Sequence, residues 1–524
     1  MPKVRSLARS EIIFSILLLL AAAAAAYLLH IRQVGYTNDD WYLMYAAKAG
    51  GPAYFESLFS FDRPLRALIF APLYQLFGEN ALFYNLIALG LRVTSALLFL
   101  WILRMLWPRQ RMATLSMTLL YLLYPGFLSQ LNGIDYQPVM FSLVASMLSL
   151  GLSVHAFFER GLAARWIWIG LAILLGWFYV GLVEYEAAFE FLRLGILFIL
   201  VSRVKKSLGR KLLTTLKVWL PYALIPVAFV AWNVFVFEGP RQATSLSSQL
   251  LILVNAPIQT ALSWLASLLI NVVNVIFSAW TVPLYQVSNQ VPGTVLLIGA
   301  GLGILISGLY LLLVNRFPEG ESSGKQSDWR TEAIWLGLLV AIVGLIPVII
   351  ANRQVIFPGL SRYSLVSSVG VAMLTVAFFY YLSARRLGQI SVAILLGLAI
   401  VTQYSYGALR AQESASLRNF WWQVSWRIPQ LELNTTLVAN YSLVSVEEEY
   451  FVWSPANLIY YNYKLYENDY LQPGIYAAVP NDITVQKVLS AGRQEYNNRR
   501  TIRTYANYRN ILILTQPSAD SCVQ

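Results

Sequence analysis

Apolar residues run along this chain in blocks of about 20, each long enough to cross the ~30 Å hydrocarbon core of a bilayer as a helix. The pattern predicts membrane helices near 10–30, 81–106, 112–130, 137–158, 166–182, 185–202, 214–237, 294–314, 332–351, 363–383 and 389–409. That is about eleven crossings by the length criterion. The stretch 244–290 is also apolar but holds Asn255-Ala256-Pro257, Asn271 and Asn274. Interfacial, re-entrant and spanning helices all fit it.

After Arg410 the period changes. Leu437–Val446 alternates loosely, Ile475–Val479 and Ile511–Thr515 read as strands, and Pro455–Tyr463 and Ile483–Ser490 as helices. The expected architecture is an α-helical polytopic membrane domain over 1–409 followed by a small extracytoplasmic α/β domain over 410–524. The membrane domain carries an outer loop at 31–80 with juxtamembrane helices.

Composition agrees with the pattern. The chain is 58% hydrophobic and 12% charged, with a mean hydropathy of +0.58. These values set it apart from soluble enzymes. The net charge of +12 raises nucleic acid as a partner, but basic residues in a membrane chain mark its cytoplasmic loops. Alternate loops hold nineteen Lys and Arg against seven in the others. This asymmetry predicts a multi-pass cell-membrane protein with a cytoplasmic N-terminus and an extracytoplasmic C-terminal domain. Nucleic acid is not an expected partner; membrane lipid is. One cysteine, Cys522, and two histidines, His30 and His155, leave no material for a disulfide framework or a histidine metal cluster.

The candidate chemistry begins just past the first apolar block, at Thr37-Asn38-Asp39-Asp40-Trp41. Carboxylates this close to hydrocarbon are costly and most often functional. Asn38 could cap a helix starting at Asp39, with both aspartates complementing its dipole. Alternatively, Asp39 or Asp40 is a general base at the membrane–water boundary, taking a proton from an acceptor hydroxyl. Asp62-Arg63-Pro64 follows, with Pro64 suited to the first turn of another helix. Arg63 could anchor to anionic lipid or contact a substrate phosphate. Asp135 lies in a later outer loop without a basic residue of its own. Asp39, Asp40 and Asp135 could together hold Mg²⁺ or Mn²⁺ through hard oxygen donors.

Glu184 and Glu186 sit near the outer mouth of a helix whose deeper charges, Glu190 and Arg193, read with Arg92 as a structural network. Arg362-Tyr363 opens a late helix, where an arginine opposes the helix dipole and should meet an anion. Arg353 is a second candidate for that role.

These positions together resemble the GT-C superfamily of membrane glycosyltransferases, closest to the protein O-mannosyltransferase and aminoarabinose-transferase types. The resemblance rests on Asp39-Asp40, Arg63-Pro64-Leu65, Asp135 and Arg362-Tyr363. It implies an inverting transfer of sugar from a polyprenyl-phosphate donor to an acceptor hydroxyl on the outer face. In that scheme Asp39 or Asp40 is the base, while Asp135, Glu184 and Glu186 form an acidic or acceptor site. Arg63, Arg353, Arg362 and Tyr363 hold the donor phosphate. A lipid-linked sugar donor and a glycan, lipid or protein acceptor are the implied partners. The mannosyltransferases show Asp-Glu where this chain has Asp39-Asp40, so which carboxylate is the base stays open. A transporter or flippase of lipid-linked sugars, and a non-catalytic membrane assembly subunit, are the competing readings.

Overall fold

The structure is a computed structural model that describes residues 2–60, 62–205, 207–235, 246–317, 328–382, 385–463, 466–467, 470–483, 485–489 and 492–524. Three of the loop cations counted above, Lys206, Arg241 and Lys325, lie outside the described residues.

The chain divides into two compact units. The first comprises residues 1–29, 88–130 and 138–408; the second comprises residues 30–87, 131–137 and 409–524. Among the described residues, ten helices are long and apolar enough to cross a membrane. Nine coincide with expected spans, and this is a multi-pass membrane protein. Two expected spans are shorter than drawn. The one at 112–130 ends at Leu122, because Pro125-Gly126 follows within a turn, and the one at 185–202 is α-helical only from Phe189, after a 3₁₀ helix over Glu184–Ala188. At 12 and 14 residues, these helices reach about 18 and 21 Å at 1.5 Å per residue.

The tenth long helix is Pro257–Ser288, 32 residues within the stretch left open between interfacial and spanning. Its asparagines have a specific use. Buried Asn271 accepts the Val355 N–H at 2.6 Å, and Asn274 donates to the Val355 carbonyl at 3.0 Å. Both polar side chains therefore hold a loop backbone that would otherwise lack partners.

Helices Trp329–Val343 and Leu365–Leu382 pack backbone to backbone inside the first unit. A Cβ on Gly370 would stand 2.4 Å from Ala341 N, and one on Gly337 2.7 Å from Leu374 N. Only glycine permits that approach. Arg193 is a fully buried cation of this unit. It bonds Glu190 through Nε and Nη2 at 2.9 Å, meets Ser149 and Ser153, and stacks on Tyr222 at 4.7 Å. Arg92 does not join this network as expected. It donates to the Tyr121 carbonyl at 2.6 Å and lies over the Tyr121 ring.

The second unit holds a three-stranded parallel sheet in its C-terminal part. Strands β1 (Thr436–Asn440), β2 (Tyr466–Glu467), β3 (Tyr470–Leu471), β4 (Tyr476–Ala477), β5 (Arg493–Glu495), β6 (Tyr505–Asn507) and β7 (Ile511–Thr515) follow in chain order. The main sheet runs β4-β1-β7, with Thr436 opposite both Tyr476 and Ile511; two short hairpins, β2-β3 and β5-β6, flank it. Central β1 is buried except at Asn440, as a strand covered on both faces must be. Helix Tyr450–Tyr460 packs against it and buries Trp453.

The last long helix, Arg385–Arg427, runs 18 residues past its expected end at 409. Its polar extension keeps an apolar stripe of Phe420, Trp421 and Val424, all buried, and an Arg410–Glu413 ion pair at 2.6 Å. Amphipathic periodicity sustains the helix once the apolar run has ended.

Candidate active site

The two adjacent aspartates have different local fates. Helix Asp40–Gly50 is entered through Asn38, whose φ of 46° turns the chain sharply. The cap differs from the expected one at Asn38. Asp40 Oδ2 accepts the Thr37 N–H at 2.9 Å and the Thr37 hydroxyl at 3.2 Å. This is one half of a capping box: the acidic side chain three positions on accepts the Thr37 N–H, while the Asp40 N–H donates to the Thr37 carbonyl at 3.0 Å instead of its hydroxyl. The other oxygen, Oδ1, accepts the Asp135 N–H at 2.8 Å. Asp40 is 1% exposed, and burial pushes its carboxyl up to about 8, against the pull of those backbone donors.

Asp39 is only half-buried. Its Oδ1 accepts the Tyr450 hydroxyl at 2.5 Å, and among the described residues Oδ2 has no hydrogen-bond donor. Tyr450 comes from the start of helix Tyr450–Tyr460 and lies edge-to-face on Tyr42 at 5.2 Å. Burial, and after it the charges of Asp39 and Asp135, oppose ionisation of the Tyr42 hydroxyl, while Arg500 favours it. One polar centre thus gathers Asp39, Asp135, Tyr42, Tyr450 and Arg500.

The loop carrying Asp135 is pinned independently. Gln137 donates to the carbonyls of Tyr84 and Gly133 at 2.6 and 2.7 Å, and the Gly133 N–H donates to Asn85 Oδ1 at 3.0 Å. A Cβ on Gly133 would meet the Asn85 backbone at 2.7 Å, so the close approach requires glycine.

A run of arginines borders the centre. Arg500 pairs with Asp62 and lies 4.5 Å over the Phe59 ring. Burial pushes the Asp62 carboxyl up, but Arg500, Arg63 and Arg66 outweigh it and hold the group below the usual carboxylate range. Arg499 pairs with Glu448 and with buried Glu449 and stacks on Tyr450 at 4.6 Å. Burial, followed by the charges of Glu449 and Asp39, pushes the Glu448 carboxyl up against Arg499.

Of the expected residues, Asp39, Asp40, Asp135 and Arg63 thus fall in this one neighbourhood. The remainder lie in the first unit. Glu186 is buried and accepts the Ser142 hydroxyl at 2.6 Å. Glu184 and Arg353 are half-buried. Arg362 lies 5.1 Å over the Tyr363 ring, which meets Tyr185 edge-to-face at 5.6 Å. Among the described residues, no three Asp, Glu, His or Cys side chains gather as a metal site. Asp39, Asp40 and Asp135 do not form one because Asp40 directs both oxygens to N–H donors. Tyr42, Tyr450, Arg499 and Arg500 were not anticipated, although the runs Glu447-Glu448-Glu449 and Arg499-Arg500 are complementary in charge.

No protein-family model matches the chain, and no curated protein matches it. Among solved structures it is similar to ArnT from Cupriavidus metallidurans, crystallised in the apo state. The match covers 81% of this chain and 82% of that one, at 15% sequence identity and a TM-score of 0.32. A likeness at this score assigns neither family nor substrate.

Proposed function

We propose that the protein is an inverting membrane glycosyltransferase that moves a sugar from a polyprenyl-phosphate donor to an acceptor hydroxyl at the outer membrane face. The division of labour between the two aspartates carries this reading. Asp40 is spent on structure: both of its oxygens are engaged and it is closed to solvent. Asp39 keeps one carboxylate oxygen available while Tyr450 fixes the other. A base so held can take the proton from an acceptor hydroxyl as that oxygen attacks the anomeric carbon and the lipid phosphate departs. Arg63, close to Asp62 and Arg500, is the candidate cation for that phosphate in this unit.

The test is release of labelled sugar from a panel of polyprenyl-phosphate donors by purified wild type and Asp39→Asn. Loss of a general base predicts a fall of about 10²–10⁴-fold in turnover with donor binding retained. Equal turnover by a folded Asp39→Asn variant would remove Asp39 from the chemistry. Uptake of a lipid-linked sugar without any transfer product would favour transport instead.

A further inference from the structure

A cavity of 520 Å³ lies in the second unit, and neither aspartate of the acidic pair lines it. Its walls include Tyr36, Trp41, Trp421, Trp422, Leu458 and Ile459, and its polar lining includes Asn80, Ser425 and Arg418. Three features indicate what it takes.

The first is its level along the chain. Tyr36 follows the Ser10–Leu28 span by eight residues, cavity-lining Ala81 opens the Ala81–Leu106 span, and Trp421 and Trp422 lie past the apolar part of Arg385–Arg427. The lining is thus drawn from segments that adjoin apolar spans in the chain, as expected of a site at a membrane–water boundary. The second is the aromatic wall, which continues outward. Trp422 is 60% exposed and its ring lies 6.0 Å from that of Trp426, itself 72% exposed. Exposed tryptophans of this kind belong to the interfacial belt of a membrane protein.

The third is charge. Glu79, a carboxylate in the lining, is paired with Lys48 at 2.6 Å. Arg418 donates to the Gln33 carbonyl at 3.2 Å and has no carboxylate partner among the described residues. A cation at the mouth of an aromatic slot matches a phosphate joined to hydrocarbon chains. It does not match a free anion, which would leave the aromatic wall unused.

We infer that this groove binds an anionic phospholipid, with its phosphate at Arg418 and an acyl chain along Trp41, Trp421 and Trp422. The inference is independent of the transferase reading.

Native mass spectrometry of the purified full chain tests it, using phosphatidylglycerol and phosphatidylcholine with identical acyl chains. Wild type should retain one phosphatidylglycerol at least about tenfold more than phosphatidylcholine, on the scale of one charge-assisted contact. Arg418→Gln should abolish that preference, and Trp422→Ala should weaken retention of both lipids. Trp166→Ala, an exposed tryptophan outside the lining, should change neither, and thermal melts of all variants verify folding. Equal retention of the two lipids by wild type would overturn the inference. So would an unchanged preference in folded Arg418→Gln. Displacement of the lipid by inorganic phosphate alone would reduce the groove to a simple anion site and overturn the lipid assignment.

Discussion

Replacing Asp40 by Asn tests whether the buried carboxylate is a structural clamp. The side chain accepts from Thr37 N on one oxygen and from Asp135 N on the other. An amide offers one acceptor oxygen, so one of these N–H groups would face an NH₂ instead. A buried donor left unmade costs about 1–3 kcal/mol. The substitution also removes a titrating group. With its carboxyl at about 8 when folded and 3.8 as the reference value, Asp40 binds a proton in the native state that the unfolded chain has released between those limits. The native state holds more protons in that window, so stability falls as pH rises through it and levels off beyond the folded value. The slope approaches ~1.4 kcal/mol per pH unit. Thermal melts of wild type and Asp40→Asn from pH 4 to 9 provide the assay. The variant should melt lower at acid pH, and its melting temperature should vary less with pH than that of wild type. A variant equal to wild type in melting temperature and pH slope would refute the clamp.

Three further outcomes follow from the geometry. Tyr450→Phe removes the hydroxyl from Asp39; a hydrogen bond to a charged group contributes ~1.5–3 kcal/mol, so kcat should fall about 10–100-fold in a steady-state transfer assay while donor KM stays near wild type. Arg499→Ala leaves Glu449 buried without its cation; breaking such a pair costs ~3–5 kcal/mol, which limited proteolysis should detect as early cleavage within 430–524. Gly133→Ala drives a methyl group into Asn85 and should destabilise the Asp135 loop by ~1–3 kcal/mol, seen as a lower melting temperature.

The sequence made the membrane architecture legible because apolar runs signal length and solvent together. The same property hid two details. Pro125-Gly126 ended a helix inside an apolar run, and the helix beyond Leu409 carried on after its apolar run stopped. Strand β7 stood out as an apolar segment, whereas β1 lay at the start of a looser alternation over 437–446. The acidic pair was conspicuous against its surroundings, but the division between Asp39 and Asp40 was not. That division depends on an N–H 95 positions away and a hydroxyl 411 positions away. Such partners carry no local spacing, and only the opposed charge runs at 447–449 and 499–500 hinted at them.

The separation between Asp39 and Tyr450 has a consequence in time. At ribosomal rates of about 5–20 residues per second, the 411 residues between them take roughly 20–80 s to make. Throughout that interval the nascent chain carries a carboxylate without the hydroxyl that orients it. If Asp39 is the base, a fragment released before Tyr450 is made carries that base unoriented and transfers sugar more slowly than the chain that includes it.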